Sequence, residues 1–157
     1  MSKPAIALFC LALFSGALLA DDLMDNADIA GGSDLGDPPT LFNMPAPLGQ
    51  QALIDQNGSG NHATVNQSGQ SLLGNIVQSG SNQEAFILQQ GADLMATIAQ
   101  QGYGNQASII QNGSGNRAQI AQNGNQNTAS IEQTGSGLQS SVTQTGNGQS
   151  VQIHQYR

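Results

Sequence analysis

Glutamine recurs at every eleventh residue from position 56 onward in this 157-residue chain. A carboxamide both donates and accepts hydrogen bonds, so identical amides stacked above one another can satisfy each other along a ladder. The spacing therefore predicts repeated, non-covalent chemistry that could also join one chain to the next. The predicted ladder residues are Gln56, Gln67, Gln78, Gln89, Gln100, Gln111, Gln122, Gln133, Gln144 and Gln155.

Residues that could support catalysis are few and scattered in the same region. The carboxylates fall in different repeats and the two histidines lie far apart, so no acid–base pair, triad or metal site is indicated. The acidic balance of the chain, ten carboxylates against three basic residues, argues against nucleic-acid binding. We therefore expect no enzyme activity, no metal and no cofactor. The residues considered are Asp55, Glu84, Asp93, Glu132, His62 and His154.

The glutamines belong to an eleven-residue sequence repeat that occurs nine times in full from Ala52 and starts a tenth time at Val151. We call each copy a row. The third position of every row is β-branched, which predicts an inner apolar ladder: Ile54, Val65, Ile76, Ile87, Ile98, Ile109, Ile120, Ile131, Val142 and Ile153. The seventh position is a turn glycine: Gly58, Gly69, Gly80, Gly91, Gly102, Gly113, Gly124, Gly135 and Gly146.

Positions one, three and five of a row share a face, which is the period of a β-strand. The tenth position is an amide in odd rows, as in Asn61, Asn105 and Asn127, and leucine in most even rows, so the structural unit is a tier of twenty-two residues. The interpretation is an all-β fold, a β-solenoid or cross-β stack of about five strand-turn-strand tiers. The tenth-position amides Asn61, Asn105 and Asn127 are predicted to stack as well.

The first fifty residues differ from the repeats. Residues 1–20 have the basic start, apolar run and small-residue end of a secretory signal peptide, with a membrane anchor as the alternative. Residues 21–51 are acidic and contain prolines, which indicates a disordered leader or a spacer. The solenoid is expected over 52–157. Cys10 is the one cysteine and lies in the predicted signal segment, so the secreted chain would have no disulfide.

The row pattern Ala-x-Ile-x-Gln-x-Gly-x-x-Asn, seen for example in 103–116, resembles the curlin repeats of curli, the extracellular amyloid of Gram-negative biofilms. The unbroken spacing and short last tier are more similar to the minor, nucleating subunit than to the major one. That subunit's last repeat is markedly basic, whereas this chain has only His154 and Arg157 there. The resemblance implies a secreted protein at the outer cell surface that nucleates polymerisation of the major curlin subunit.

The partners implied by this resemblance are the major curlin subunit, further copies of the chain, an outer-membrane export pore that reads the leader, and a surface accessory protein. Two surfaces could meet partners: an outward apolar patch of Phe86, Leu88 and Ile110, and a surface-anchoring end at His154, Tyr156 and Arg157. We expect the amino-terminal tier, 52–73, to act as the template. The alternatives are a major fibre-forming curlin subunit and, from the repeat alone, a β-solenoid ice-binding protein.

Overall fold

A computed structural model describes residues 49–157, and the predicted signal segment and nearly all of the predicted leader lie outside this range. The first strand begins at Gln50, two residues before the expected start of the repeats. No helix within 49–157 is long and apolar enough to span a membrane. The strands are β1 (Gln50–Ser59), β2 (His62–Ser81), β3 (Glu84–Tyr103), β4 (Gln106–Ser114), β5 (Arg117–Asn125), β6 (Thr128–Ser136), β7 (Gln139–Thr145) and β8 (Ser150–Tyr156).

Each strand from β1 to β6 pairs in parallel with strand segments one tier further along the chain, and each paired residue lies beside the residue 22 positions later. The odd rows form one face, the odd-row sheet, made of β1, the second halves of β2 and β3, β5 and β7. The even rows form the facing even-row sheet from the first halves of β2 and β3, then β4, β6 and β8. The predicted fold is confirmed as a parallel β-solenoid of about five 22-residue turns.

All eight strands are longer than the five or six residues expected from one row, and two of them span two rows. β2 and β3 each contain 20 residues and continue through the turn that joins an even row to the next odd row. In these turns Leu72, Leu73, Leu94 and Met95 are buried. The backbone therefore stays extended there because burial of large apolar side chains stabilises that geometry. Row composition alone marked these positions as turns.

The core is a column of branched side chains between the two sheets. Ile76, Ile87, Ile98, Ile109, Ile120 and Ile131 are completely buried and pack with the alanines of position one. The column is uncovered only towards the ends of the described solenoid. There the side chain of Ile54 is 48% exposed, and Val65 and Ile153 are partly buried.

The turn glycines are required for two reasons. Gly113 has φ of +127°, and a Cβ placed on it would lie 1.8 Å from the carbonyl oxygen of Gly135, one tier away.

Position nine is a second site with an unusual backbone conformation, because its φ is positive in all nine complete rows. Five of these residues are glycine, and the others are Ser71, Asn82, Asp93 and Gln126. The sequence pattern predicts the glycines of position seven but not the positive φ of position nine, where other side chains also occur.

Candidate functional site: amide ladders and open strand edges

The position-five glutamines form two continuous hydrogen-bonded ladders inside the solenoid. In the odd-row sheet, Gln78 Nε2 donates to Gln100 Oε1 at 2.8 Å, and Gln100 Nε2 donates to Gln122 Oε1 at 2.8 Å. In the even-row sheet, Gln89 Nε2 donates to Gln111 Oε1 at 3.0 Å. The remaining rungs join Gln56 to Gln78, Gln122 to Gln144, Gln67 to Gln89, Gln111 to Gln133 and Gln133 to Gln155.

The ladder amides from Gln67 to Gln155 also tie the two sheets together. The second Nε2 hydrogen of Gln100 is donated to the backbone oxygen of Glu84 at 3.1 Å, and that of Gln111 to the backbone oxygen of Met95 at 3.0 Å. A backbone carbonyl can only accept, so this contact fixes which end of the amide is nitrogen. All rungs therefore point the same way, with each tier donating to the tier that follows. Sequence spacing could not reveal this cross-sheet bond.

A second ladder runs through the turns that follow odd rows. Asn105 Nδ2 donates to the backbone oxygens of Gln101 and Gly124, and Asn105 Oδ1 accepts from the Asn127 backbone N–H at 3.0 Å. Asn61 makes the same three contacts in its own tier, and Asn127 donates to the backbone oxygen of Gly146 and accepts from the Gln149 backbone N–H. Asn116, which stands where most even rows have leucine, repeats the arrangement in an even-row turn.

Gln83 interrupts the odd-row turn ladder. Its Nε2 donates to the backbone oxygens of Ser79 and Gly102, as an asparagine would. Its Oε1 is buried and has no partner among the described residues. The extra methylene of glutamine displaces this oxygen from the place where Oδ1 of Asn105 accepts a backbone N–H one tier later. A buried unpaired acceptor costs about 1–3 kcal/mol, so this turn is less stable than its neighbours.

The ends of the stack are open strand edges in the described part of the chain. β1 pairs only with β2, while β7 pairs only with β5 and β8 only with β6. His62 N–H bonds Gln83 O in the following tier, whereas Gly146 N–H bonds Asn123 O in the preceding one. Backbone groups alternate in direction along a strand, so those at position three point to the preceding tier. Ile54 in β1 therefore directs its N–H and C=O out of the stack.

The two edges differ in the hydrogen bonds that they offer. At the amino edge, Gln56 and Gln67 donate into the stack, and within residues 49–157 nothing donates to their Oε1 atoms. At the carboxyl edge, Gln144 and Gln155 donate to the backbone oxygens of Thr128 and Gln139 and keep one Nε2 hydrogen each. The amino edge thus presents amide acceptors and the carboxyl edge presents amide donors.

The carboxyl edge carries the side chains expected to anchor the protein. His154 Nδ1 lies 3.0 Å from Glu132 Oε2, one tier inward on the outer face of the even-row sheet. Tyr156 is 67% exposed, and Arg157 continues the backbone ladder through its N–H to Thr134 O. The three residues lie at one end of the stack.

The outward apolar residues also lie together. Leu88 pairs directly with Ile110 on adjacent tiers, and Phe86 lies two residues before Leu88 on the same face. All three side chains are half-buried. None of these features resembles a catalytic centre, and no group of three His, Cys, Asp or Glu side chains in the described region could hold a metal ion.

Comparison with protein families identifies the sequence repeat that forms this geometry. Residues 69–102, 91–124 and 124–156 each match the model of the curlin associated repeat, and together they cover more than half of the chain. Comparison with curated proteins and with solved structures gives no match. The matched segments contain the position-five glutamines from Gln78 onward and the position-seven glycines from Gly69 onward, whose stacking is described above. The chain belongs to the curlin repeat family.

Proposed function

We propose that this protein nucleates polymerisation of the major curlin subunit at the cell surface by templating a new strand on its open amino edge. Curlins are secreted structural subunits of the extracellular curli amyloid of Gram-negative bacteria, and their repeats support self-association into fibres. The observation that carries the proposal is β1, an exposed strand in register with a formed stack, whose Ile54 side chain is 48% exposed.

A preformed stack removes the main obstacle to starting a fibre. Ordering a free tier of 22 residues costs on the order of 20–40 kcal/mol in backbone entropy, before any neighbouring tier can return hydrogen bonds. An edge that already presents backbone groups in strand geometry supplies those bonds as the incoming chain orders. Stacking onto β1 is therefore expected to be much faster than spontaneous assembly.

The polarity of the amide ladder specifies what the amino edge accepts. Gln56 and Gln67 offer Oε1 acceptors at the centre of the edge, so the incoming strand must bring glutamine Nε2 donors at the same position. A curlin repeat supplies one in every row. An incoming strand with a hydrophobic residue there would leave the acceptors buried and unpaired, at about 1–3 kcal/mol for each. This requirement makes the edge selective for chains of the same repeat family.

The opposite edge fits attachment instead. Its exposed side chains include Tyr156 and Arg157, and His154 adds a titratable ring beside Glu132. We assign this end to an anionic surface or to an accessory protein that holds the nucleator at the outer membrane. The acidic segment 21–51 would then serve as the part that the export pore recognises.

A second candidate function is that of the major fibre subunit, because both edges would also allow the chain to polymerise with itself. Seeding distinguishes the two. A nucleator added at roughly one part in a hundred should shorten the lag of major-subunit assembly, since each stack starts one fibre and then stays at its end. A major subunit should instead be incorporated along the fibre in proportion to its concentration.

A further inference from the structure

The outer face of the even-row sheet carries a raised apolar patch. We call it the even-face patch and define it as Phe86, Leu88 and Ile110. Its neighbours in the same columns are short or polar: Ser108 follows Phe86, Asn66 precedes Leu88, and Glu132 follows Ile110. Three large apolar side chains thus project together from a face that is otherwise small or polar.

The outer face of the odd-row sheet carries a shallow groove. Its floor is the position-four column Val77, Ala99, Ala121 and Thr143, which we call the odd-face groove. Position-six side chains form one wall: Ser79, Gln101, Asn123 and Thr145. The groove has its depth because the side chains of Ala99 and Ala121 are small. Asp55 is the one charged residue in this column and lies in the first tier, beyond the floor of the groove.

We propose that the even-face patch of one fibre docks into the odd-face groove of a second fibre built from copies of this chain. The patch and the groove face opposite sides of the sandwich, so a sideways translation without rotation brings them together. Both sheets share the same 22-residue register, so adjacent tiers have the same spacing on the two outer faces. Leu88 and Ile110 are therefore spaced to match Ala99 and Ala121. Such a heterologous contact does not close and would extend into flat bundles of fibres.

The contact suits assembled fibres rather than free subunits. Three half-buried side chains cover far less area than the roughly 1,200 Å² of a stable protein–protein interface. Along a fibre, however, every subunit presents the same patch at the same spacing, and the weak contacts act together. Bundling should therefore begin only after stacking. The inference goes beyond nucleation and rests on stacking of this chain with itself, which is the second candidate function, and its test measures that stacking separately.

The test uses two fibre-forming variants of the full chain. The patch variant is Leu88→Thr with Ile110→Thr, and the groove variant is Ala99→Leu with Ala121→Leu. Thioflavin kinetics measure elongation, and negative-stain microscopy measures the fraction of fibre length in lateral contact. We expect elongation rates close to that of the parent, while lateral contact falls roughly tenfold for each variant alone because the contacts are multivalent. A mixture of the two preformed fibres should recover lateral pairs, since the groove variant keeps the patch and the patch variant keeps the groove.

Three results would overturn the proposal. Normal bundling by the groove variant would show that patches pair with each other or with another surface. Mixed fibres that fail to pair would remove the complementary contact. Bundling that survives in both variants would show that neither surface is used. If the parent chain itself does not form fibres, that result would instead count against the stacking. Failure of stacking and failure of bundling can therefore be distinguished.

Discussion

Gln100 lies directly between Gln78 and Gln122 in the odd-row sheet, and its Nε2 donates to Gln122 Oε1 over 2.8 Å. The same atom also donates to the backbone of Glu84 in the opposite sheet. One amide thus joins two tiers and two sheets. The polar interior is stable because each such amide uses both of its hydrogens and its oxygen.

The ladder should be sensitive to loss of a single interior amide. Gln100→Ala leaves the Oε1 of Gln122 and one Nε2 hydrogen of Gln78 unpaired in the core, at about 1–3 kcal/mol for each group. We expect a lower unfolding midpoint in denaturant and slower fibre growth. Gln119→Ala is the matched control, because Gln119 lies in the next odd row and points outward. Equal losses for both variants would argue against the ladder as a source of stability.

The two kinds of turn glycine should respond differently to substitution. Gly113→Ala places a Cβ against the Gly135 carbonyl oxygen and forces a side chain to φ of +127°. We expect it to destabilise the solenoid by more than about 2 kcal/mol. Gly115→Asn should cost less than about 1 kcal/mol, because Gly115 has φ of +64°, a Cβ there would approach no atom closer than 3.8 Å, and Asn82 already occupies position nine in another row. Thermal unfolding followed by circular dichroism compares the two, and similar losses would contradict the assignment.

Gln83 offers a test in which stability should increase. Gln83→Asn restores the side chain that accepts a backbone N–H in the other tiers and removes the unpaired Oε1. We expect a gain of about 0.5–1.5 kcal/mol in the free energy of unfolding. The reciprocal change, Asn105→Gln, removes the bond to the Asn127 N–H and should lower stability by a similar amount. A Gln83→Asn variant less stable than the parent would show that the unpaired oxygen is not a defect.

Most of this architecture could be predicted from the repeat, because the spacing of its residues shows which side chains face inward and how many rows make one tier. Ile98 and Gln100 fall on the inner face by period two, and the change at position ten fixed the tier at two rows. The spacing could not predict features that depend on the folded backbone. The bond from Gln100 to Glu84 O crosses between sheets that are adjacent only after folding. The positive φ of Asp93 could not be predicted from its residue type, because a polar side chain at a turn is compatible with several backbone conformations.

The ends of the stack were predicted as edges with different roles, but the direction of their amide hydrogen bonds was not predicted. Gln56 and Gln144 are the same residue at the same position, and only the direction of the hydrogen bonds shows that one edge accepts and the other donates. Likewise, Glu132 and His154 are 22 residues apart, so the predicted tier places them side by side, but their contact of 3.0 Å is a finding of the structure.

Seeding by edge variants tests the central claim most directly. Proline lacks a backbone N–H and blocks pairing. At Ile54 and Val65 the missing groups point out of the amino edge, whereas at Ser141 and Gln152 they point out of the carboxyl edge. Each double proline variant would be checked for folding by circular dichroism and then added in trace amounts to the major curlin subunit. We predict that Ile54→Pro with Val65→Pro abolishes the shortening of the lag, while Ser141→Pro with Gln152→Pro preserves it. Full seeding by the first variant would contradict templating at the amino edge.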